Sequence, residues 1–268
     1  MSNMVDDVYK GSQERNFLGH PIGLSICFLT EMWERFSYYG MRAILILYLT
    51  KYHLFGVNKA SMIYGAYAGL VYMMPIVGGY LADRYLGSRK AVTYGAILLV
   101  LGHGLMAFHG PAAYMDGENI IRDDFFINVF FLALALIIGG VGFLKANISR
   151  VVGALYGPND PRRDGGFSIF YMGINLGALL AMIVVGYVGE VHGWNYGFSI
   201  AGIGMLFGLL VFLWGQKYLD GRAEPPRPEI LKEKSPIGLN KEYTIYLFGI
   251  GLVGLSWIMM QYDQMVIQ

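Results

Sequence analysis

The chain has 268 residues, of which 55% are hydrophobic and only 15% charged, and it carries a net charge of +1. A soluble domain holds about 25% charged residues, and near-neutrality leaves no basic field for nucleic acid. The single Cys27 excludes an internal disulfide and a multi-cysteine metal site, and reads as a small apolar helix residue.

The apolar residues fall in long blocks with the charges between them, the pattern of an all-α membrane protein. Residues 1–20 are polar, have no apolar core of a cleavable signal, and are expected as a cytoplasmic N-terminal segment. Seven spans of about 20 residues or more follow. They run from Pro21 to Tyr52, Lys59 to Ala82, Arg89 to Phe108, Asp124 to Leu155, Phe167 to Glu190, Tyr196 to Tyr218, and from Glu242 to the chain end. Pro21 suits the first position of a helix. With the N-terminus inside, fourteen of the 20 Lys and Arg residues lie on the cytoplasmic side. Lys51, Lys59 and Arg122 lie opposite, and Arg35, Arg42 and Lys145 lie within spans. That bias predicts a multi-pass protein of the cell (inner) membrane with a cytoplasmic N-terminus.

The first span carries Glu31, Glu34, Arg35, Tyr38, Tyr39 and Arg42. At about 100° per residue, Glu31, Glu34, Arg35, Tyr38 and Arg42 fall within about 60° of Glu31, and Tyr39 lies near +80°. Leu29, Trp33, Phe36 and Gly40 take the far side. A charge at mid-membrane costs roughly 2.5–3.5 kcal/mol, so this stripe should face a watery cavity and pair internally. Glu31 and Arg35 are an i, i+4 pair of opposite charge, which leaves Glu34 needing another partner. A structural ion network is the alternative, and for Arg42 so is snorkelling.

Between the second and third spans, Asp83 can cap the following helix. It can also pair with a basic group in one conformation only, a gate in which Arg84 and Arg89 are the nearby cations. His103 in the third span reads as a packed residue. The fourth span holds Gly139, Gly140 and Gly142, which admit a close neighbour, and Lys145, which needs an acid: Glu31 or Glu34. In the fifth span Asn175 is suited to a substrate or to a neighbouring helix. No His/Glu spacing suggests a metal, and no phosphate loop or nucleophile elbow appears. Residues 220–240 are Pro-rich and charged and are expected as a cytoplasmic linker. Six spans over 21–219, a linker, and a new span from 241 form the layout of a transporter built from two six-helix halves. The expectation is a fragment or truncation at 241–268, with a C-terminal half as partner.

Three stretches together resemble the proton-dependent oligopeptide transporter family of the major facilitator superfamily. Glu31 to Gly40 matches its E-x-x-E-R-F-x-Y-Y-G pattern, Gly78 to Ala91 is similar to its loop signature, and Phe170 to Gly177 to its F-Y-x-x-I-N-x-G signature. The resemblance implies a major facilitator-type six-helix N-terminal bundle plus a seventh transmembrane helix. It implies proton coupling at Glu31, Glu34, Arg35 and Lys145, with Asp263 standing where the family has an acidic residue in the seventh span. It implies a peptide pocket lined by Tyr38, Tyr39, Arg42, Tyr72, Lys145 and Asn175. The expected activity is symport of di- and tripeptides with protons across the bilayer, with no cofactor beyond the proton and no enzymatic chemistry. Another small solute on the same scaffold, such as nitrate or a drug, is the alternative. A membrane-embedded enzyme has no nucleophile–base pair to support it.

Overall fold

The computed structural model describes residues 16–219, 221–225 and 228–265, with side chains as far as residue 261. The chain enters through a two-residue hairpin, β1 Asn16–Phe17 paired with β2 His20–Pro21. Pro21 is the residue before helix α1, not its first residue, and extended backbone there (ψ 137°) sets the entry. Helix α1, Ile22–Leu47, ends in a π-helical turn, Tyr48–Tyr52. Then come α2, Val57–Leu81, with its own π-helical turn Ala82–Leu86, and α3, Ser88–Ala107. A small exposed hairpin, β3 Tyr114–Asp116 and β4 Asn119–Ile121, leads to α4, Asp124–Ala154. The chain continues through α5, Arg163–Val191, α6, Trp194–Gly215, a short α7, Pro228–Lys232, and α8, Lys241–Met265.

Each expected span lies within four residues of a helix. Among the described residues six helices, α2 to α6 and α8, are long and apolar enough to cross a membrane. Helix α1 is the seventh long helix: its 26 residues span about 39 Å, but four ionisable residues dilute its apolar character. The expected linker is partly structured, since α7 lies within it and Lys234 pairs with Asn240.

The packing order explains which helices are central. Helix α2 packs on α4, α4 on α3, α3 on α6, α6 on α1, and α1 on α5, while α8 lies along α4. Of the spanning segment of α4, 72% is buried, against 28% in α2 and in α5. The most apolar helix is thus wrapped, and α2 and α5 turn outward.

Glycine makes the α2–α4 contact possible. A Cβ on Gly78 would collide with the backbone of Gly142, and one on Gly142 with Met74. Small residues at such crossings let backbones approach and gain van der Waals contact. Asn147 locks the same corner, donating to the Gly78 carbonyl at 3.3 Å and to the Phe143 carbonyl at 2.7 Å. At the hairpin end, Arg122 donates to the carbonyls of His53 (2.6 Å) and Leu54 (2.9 Å) and lies over the Phe55 ring. His53 is buried there, and burial followed by the Arg122 charge pushes its pKa down to about 4.

Candidate functional site

Four turns of α1 place the charged stripe on the side away from α6. Gly204 and Gly208 of α6 receive Trp33, Phe36 and the Thr30 carbonyl. Gly177 of α5 lies against the Met32 carbonyl and the Arg35 side chain. These contacts fix the rotation of the helix, so Glu31, Glu34 and Arg35 are turned inward, with exposures of 3%, 0% and 3%.

The three residues form one unit. Arg35 Nε lies 3.0 Å from Glu31 Oε1 and also contacts Glu34 Oε2. Glu34 therefore shares the Arg35 guanidinium, where sequence spacing had left it needing a separate partner. The unit is not fully satisfied: Glu31 Oε2, Glu34 Oε1 and Arg35 Nη2 have no hydrogen-bond partner. Buried charge of this kind is costly unless paired and hydrogen-bonded. The expectation of a watery cavity is corrected here, because the three side chains are almost wholly buried.

Lys145 is also corrected. Both glutamates lie within its electrostatic reach, but among the described residues it makes no ion pair with either. Its ammonium instead sits 4.8 Å from the centre of the Tyr72 ring, a cation–π contact. Tyr72 itself is exposed on α2. Lys145 is half-buried and reaches toward α2, with an aromatic partner in place of an acidic one.

Arg42, two turns beyond Arg35, is half-buried. Its Nε donates to the Tyr64 hydroxyl of α2, and its guanidinium lies 5.4 Å from that ring centre. It reaches across to α2 and does not run to the helix end as a snorkelling side chain would. Tyr38 is buried below it, 5.3 Å beneath the Arg35 guanidinium, and Tyr39 packs edge-on against Tyr38. Asn175 is exposed on α5, and its side-chain amide donates to the Tyr171 carbonyl of its own helix at 3.1 Å. Among the described residues it makes no bond to a neighbouring helix. The Asp263 side chain lies outside the described residues.

The residues of the α2–α3 turn separate into two contacts. Asp83 does not cap α3, whose start at Gly87 has positive φ (74°) and no side-chain cap. It pairs with Arg150 at the end of α4, so its cation is neither Arg84 nor Arg89. Arg84 is exposed and donates to the Tyr80 hydroxyl at 2.9 Å. Arg89 bonds Gln216 at 2.8 Å and pairs with Glu224, tying α3 to the end of α6. His103 is buried at 1% exposure, as expected of a packed residue. Among the described residues no group of His, Cys, Asp and Glu could hold a metal ion.

Tyr64, Tyr67, Asn147 and Arg150 were not singled out from sequence. The aromatic triplet Tyr64, Tyr67 and Tyr72 on α2 was the available signal.

The arrangement has known counterparts. The POT family model matches residues 89–237, more than half of the chain. A peptide transporter of Yersinia enterocolitica subsp. palearctica serotype O:3 (strain YE-P4) is 46% identical over 206 residues, covering 74% of this chain and 37% of the relative. A di-/tripeptide transporter of Lactococcus lactis subsp. cremoris is 43% identical over 232 residues, covering 82% of this chain and 43% of the relative. A crystal structure of a peptide transporter, POT, in complex with sulfate superimposes with a TM-score of 0.75 at 39% identity, covering 95% of this chain and 49% of that one. The chain thus spans about half the length of the relatives it matches. Its helices are those of a major facilitator-type transporter, and the chain belongs to the POT family.

Proposed function

We propose that this chain supplies the proton-handling half of a proton-coupled symporter of di- and tripeptides. It sits in the cell membrane with its N-terminus in the cytoplasm and works with a second six-helix half. The observation that carries the reading is the buried Glu31–Glu34–Arg35 unit, with Arg42 and Lys145 reaching toward α2 from α1 and α4.

Two carboxylates sharing one guanidinium leave one negative charge in excess. A proton on Glu34 would neutralise that excess and free Arg35 to pair with Glu31 alone. The two protonation states thus differ in how tightly α1 is held, which is what a two-state transport cycle must be biased by. Arg42 presents a guanidinium fork suited to a peptide carboxylate, and Lys145 adds a second cation on the facing helix. Tyr38, Tyr39, Tyr72 and Asn175 complete the proposed peptide groove. Asp83, Arg84 and Arg89 mark the opposite end as gate residues. Glu31, Glu34, Arg35 and Lys145 bear the proton step, with Asp263 contributing from α8. Alternating access then follows from rocking of the two halves about the groove.

The test is uptake of labelled dialanine in proteoliposomes holding the transporter that contains this chain. Accumulation driven by an inward pH gradient, and abolished when the gradient is collapsed, is the expected outcome. Equal uptake with and without the gradient would reject proton coupling.

A further inference from the structure

Helix α2 brings one buried polar group to the charged unit that the reading above does not use. Tyr67 is fully buried at 0% exposure, and its hydroxyl has no hydrogen-bond partner. A buried hydroxyl without a partner costs roughly 1–3 kcal/mol, and a phenylalanine would fill the same space without that cost.

The register says where the hydroxyl points. Helices α1 and α2 are consecutive and antiparallel, and Arg42 bonds Tyr64 across them. One turn along α2, from Tyr64 to Tyr67, therefore matches one turn back along α1, from Arg42 to Tyr38. The next turn of α1 is Glu34. The groups that act electrostatically on Tyr67 are indeed Tyr38, Glu34, Arg42 and Arg35. Glu34 is likewise 0% exposed; its Oε2 contacts Arg35, while its Oε1 has no hydrogen-bond partner. A hydroxyl without an acceptor on α2 thus lies near a carboxylate with one oxygen unused on α1.

We propose that the Tyr67 hydroxyl donates to the Glu34 carboxylate through one bridging water, and is the positioning residue of the proton site. This rests on the proton-coupling reading for its consequence, but the bond itself does not. The other charged groups acting on Glu34 are Arg35 and Glu31 from α1 and Lys145 from α4. Tyr67 is the contribution of α2, and it acts through Glu34 without touching peptide.

The experiment is an infrared pH titration of the chain in lipid nanodiscs, with the Glu34 carboxyl band assigned by its loss in Glu34→Gln. A hydrogen bond to a charged group is worth about 1.5–3 kcal/mol, so Tyr67→Phe should move the midpoint of that band by about one pH unit or more. Thermal stability should stay near that of the parent, since only a hydroxyl is removed. Fluorotyrosine at position 67, a stronger donor of the same shape, should move the midpoint in the opposite sense, and it serves if Tyr67→Phe does not fold. An unchanged midpoint in either folded variant would overturn the proposal. If the band moves but the transporter shows no gradient-driven uptake, the bond stands and the coupling reading falls.

Discussion

The ion pairs of α1 and those at the turn between α2 and α3 use the same side-chain chemistry in opposite surroundings. Glu31, Glu34 and Arg35 are almost wholly buried, while the Asp83 and Arg150 side chains are 53% and 45% exposed. Lys90–Glu242, at 2.5 Å, and Arg89–Glu224 are also partly in the open. Water can replace a lost partner at the surface but not beneath α2 and α5. The buried unit is therefore the one whose geometry a single proton can change, and the surface pairs are latches of small individual worth.

The comparison breaks most sharply at Arg35. Arg35→Ala leaves two carboxylates buried without a cation, and losing one partner of a buried ion pair costs about 3–5 kcal/mol. Thermal unfolding in detergent should drop accordingly. Replacing the whole unit by Gln, Gln and Met should recover most of the loss, because neutral substitutes remove the stranded charges as well. A full-sized loss that persists in the triple variant would mean that the damage is steric.

Arg42 tests the groove next. Arg42→Ala should weaken dipeptide binding roughly tenfold or more, since a charge-assisted hydrogen bond contributes about 1.5–3 kcal/mol. Arg42→Lys should restore only part, for lack of a two-pronged grip. Because Arg42 also holds Tyr64, affinity and melting temperature must be measured together. Unchanged affinity with a lower melting temperature would assign Arg42 to packing alone.

At the surface the effects shrink. Asp83→Asn should cost within about 1 kcal/mol of stability, and the difference should fade as salt is raised. A larger, salt-insensitive loss would make the Asp83–Arg150 pair a structural lock.

The smallest effect concerns the loop between α4 and α5. The Arg162 side chain, and then its backbone N–H, hold the Asp160 carboxyl down to about 2. The unfolded value is about 3.9. A depressed folded value means that the contribution is complete above about pH 4 and is lost as pH falls through about 2. With Asp160 near the surface it should stay below about 1 kcal/mol. Asp160→Asn should flatten that part of an acid-unfolding curve and leave the rest alone.

Much of this architecture was legible in the sequence because membrane burial demands long apolar runs. The stripe on α1 was legible for the same reason, since charges in such a run must share a face. The glycines of α4 likewise announced a close neighbour. What failed was pairing. Adjacent helical residues do not face each other, so Glu34 and Arg35 were not matched, yet the Arg35 side chain bridges both glutamates. Lys145 was assigned an acid by charge balance, but its helix brings it over the Tyr72 ring. Asp83 finds Arg150 only because the glycine contact between α2 and α4 sets those helix ends side by side. The role of Tyr67 depends on which of four tyrosines on α2 turns inward, and only the packing of α2 on its neighbours decides that.

The central claim is that Glu34 carries the proton, and Glu34→Gln tests it most directly. Glutamine keeps the shape of a protonated carboxyl but can neither release nor accept the proton. In the transporter that contains this chain, the variant should lose accumulation of dialanine driven by a pH gradient while exchanging labelled for unlabelled peptide across the membrane. Accumulation against a concentration gradient by a well-folded Glu34→Gln protein would contradict the account.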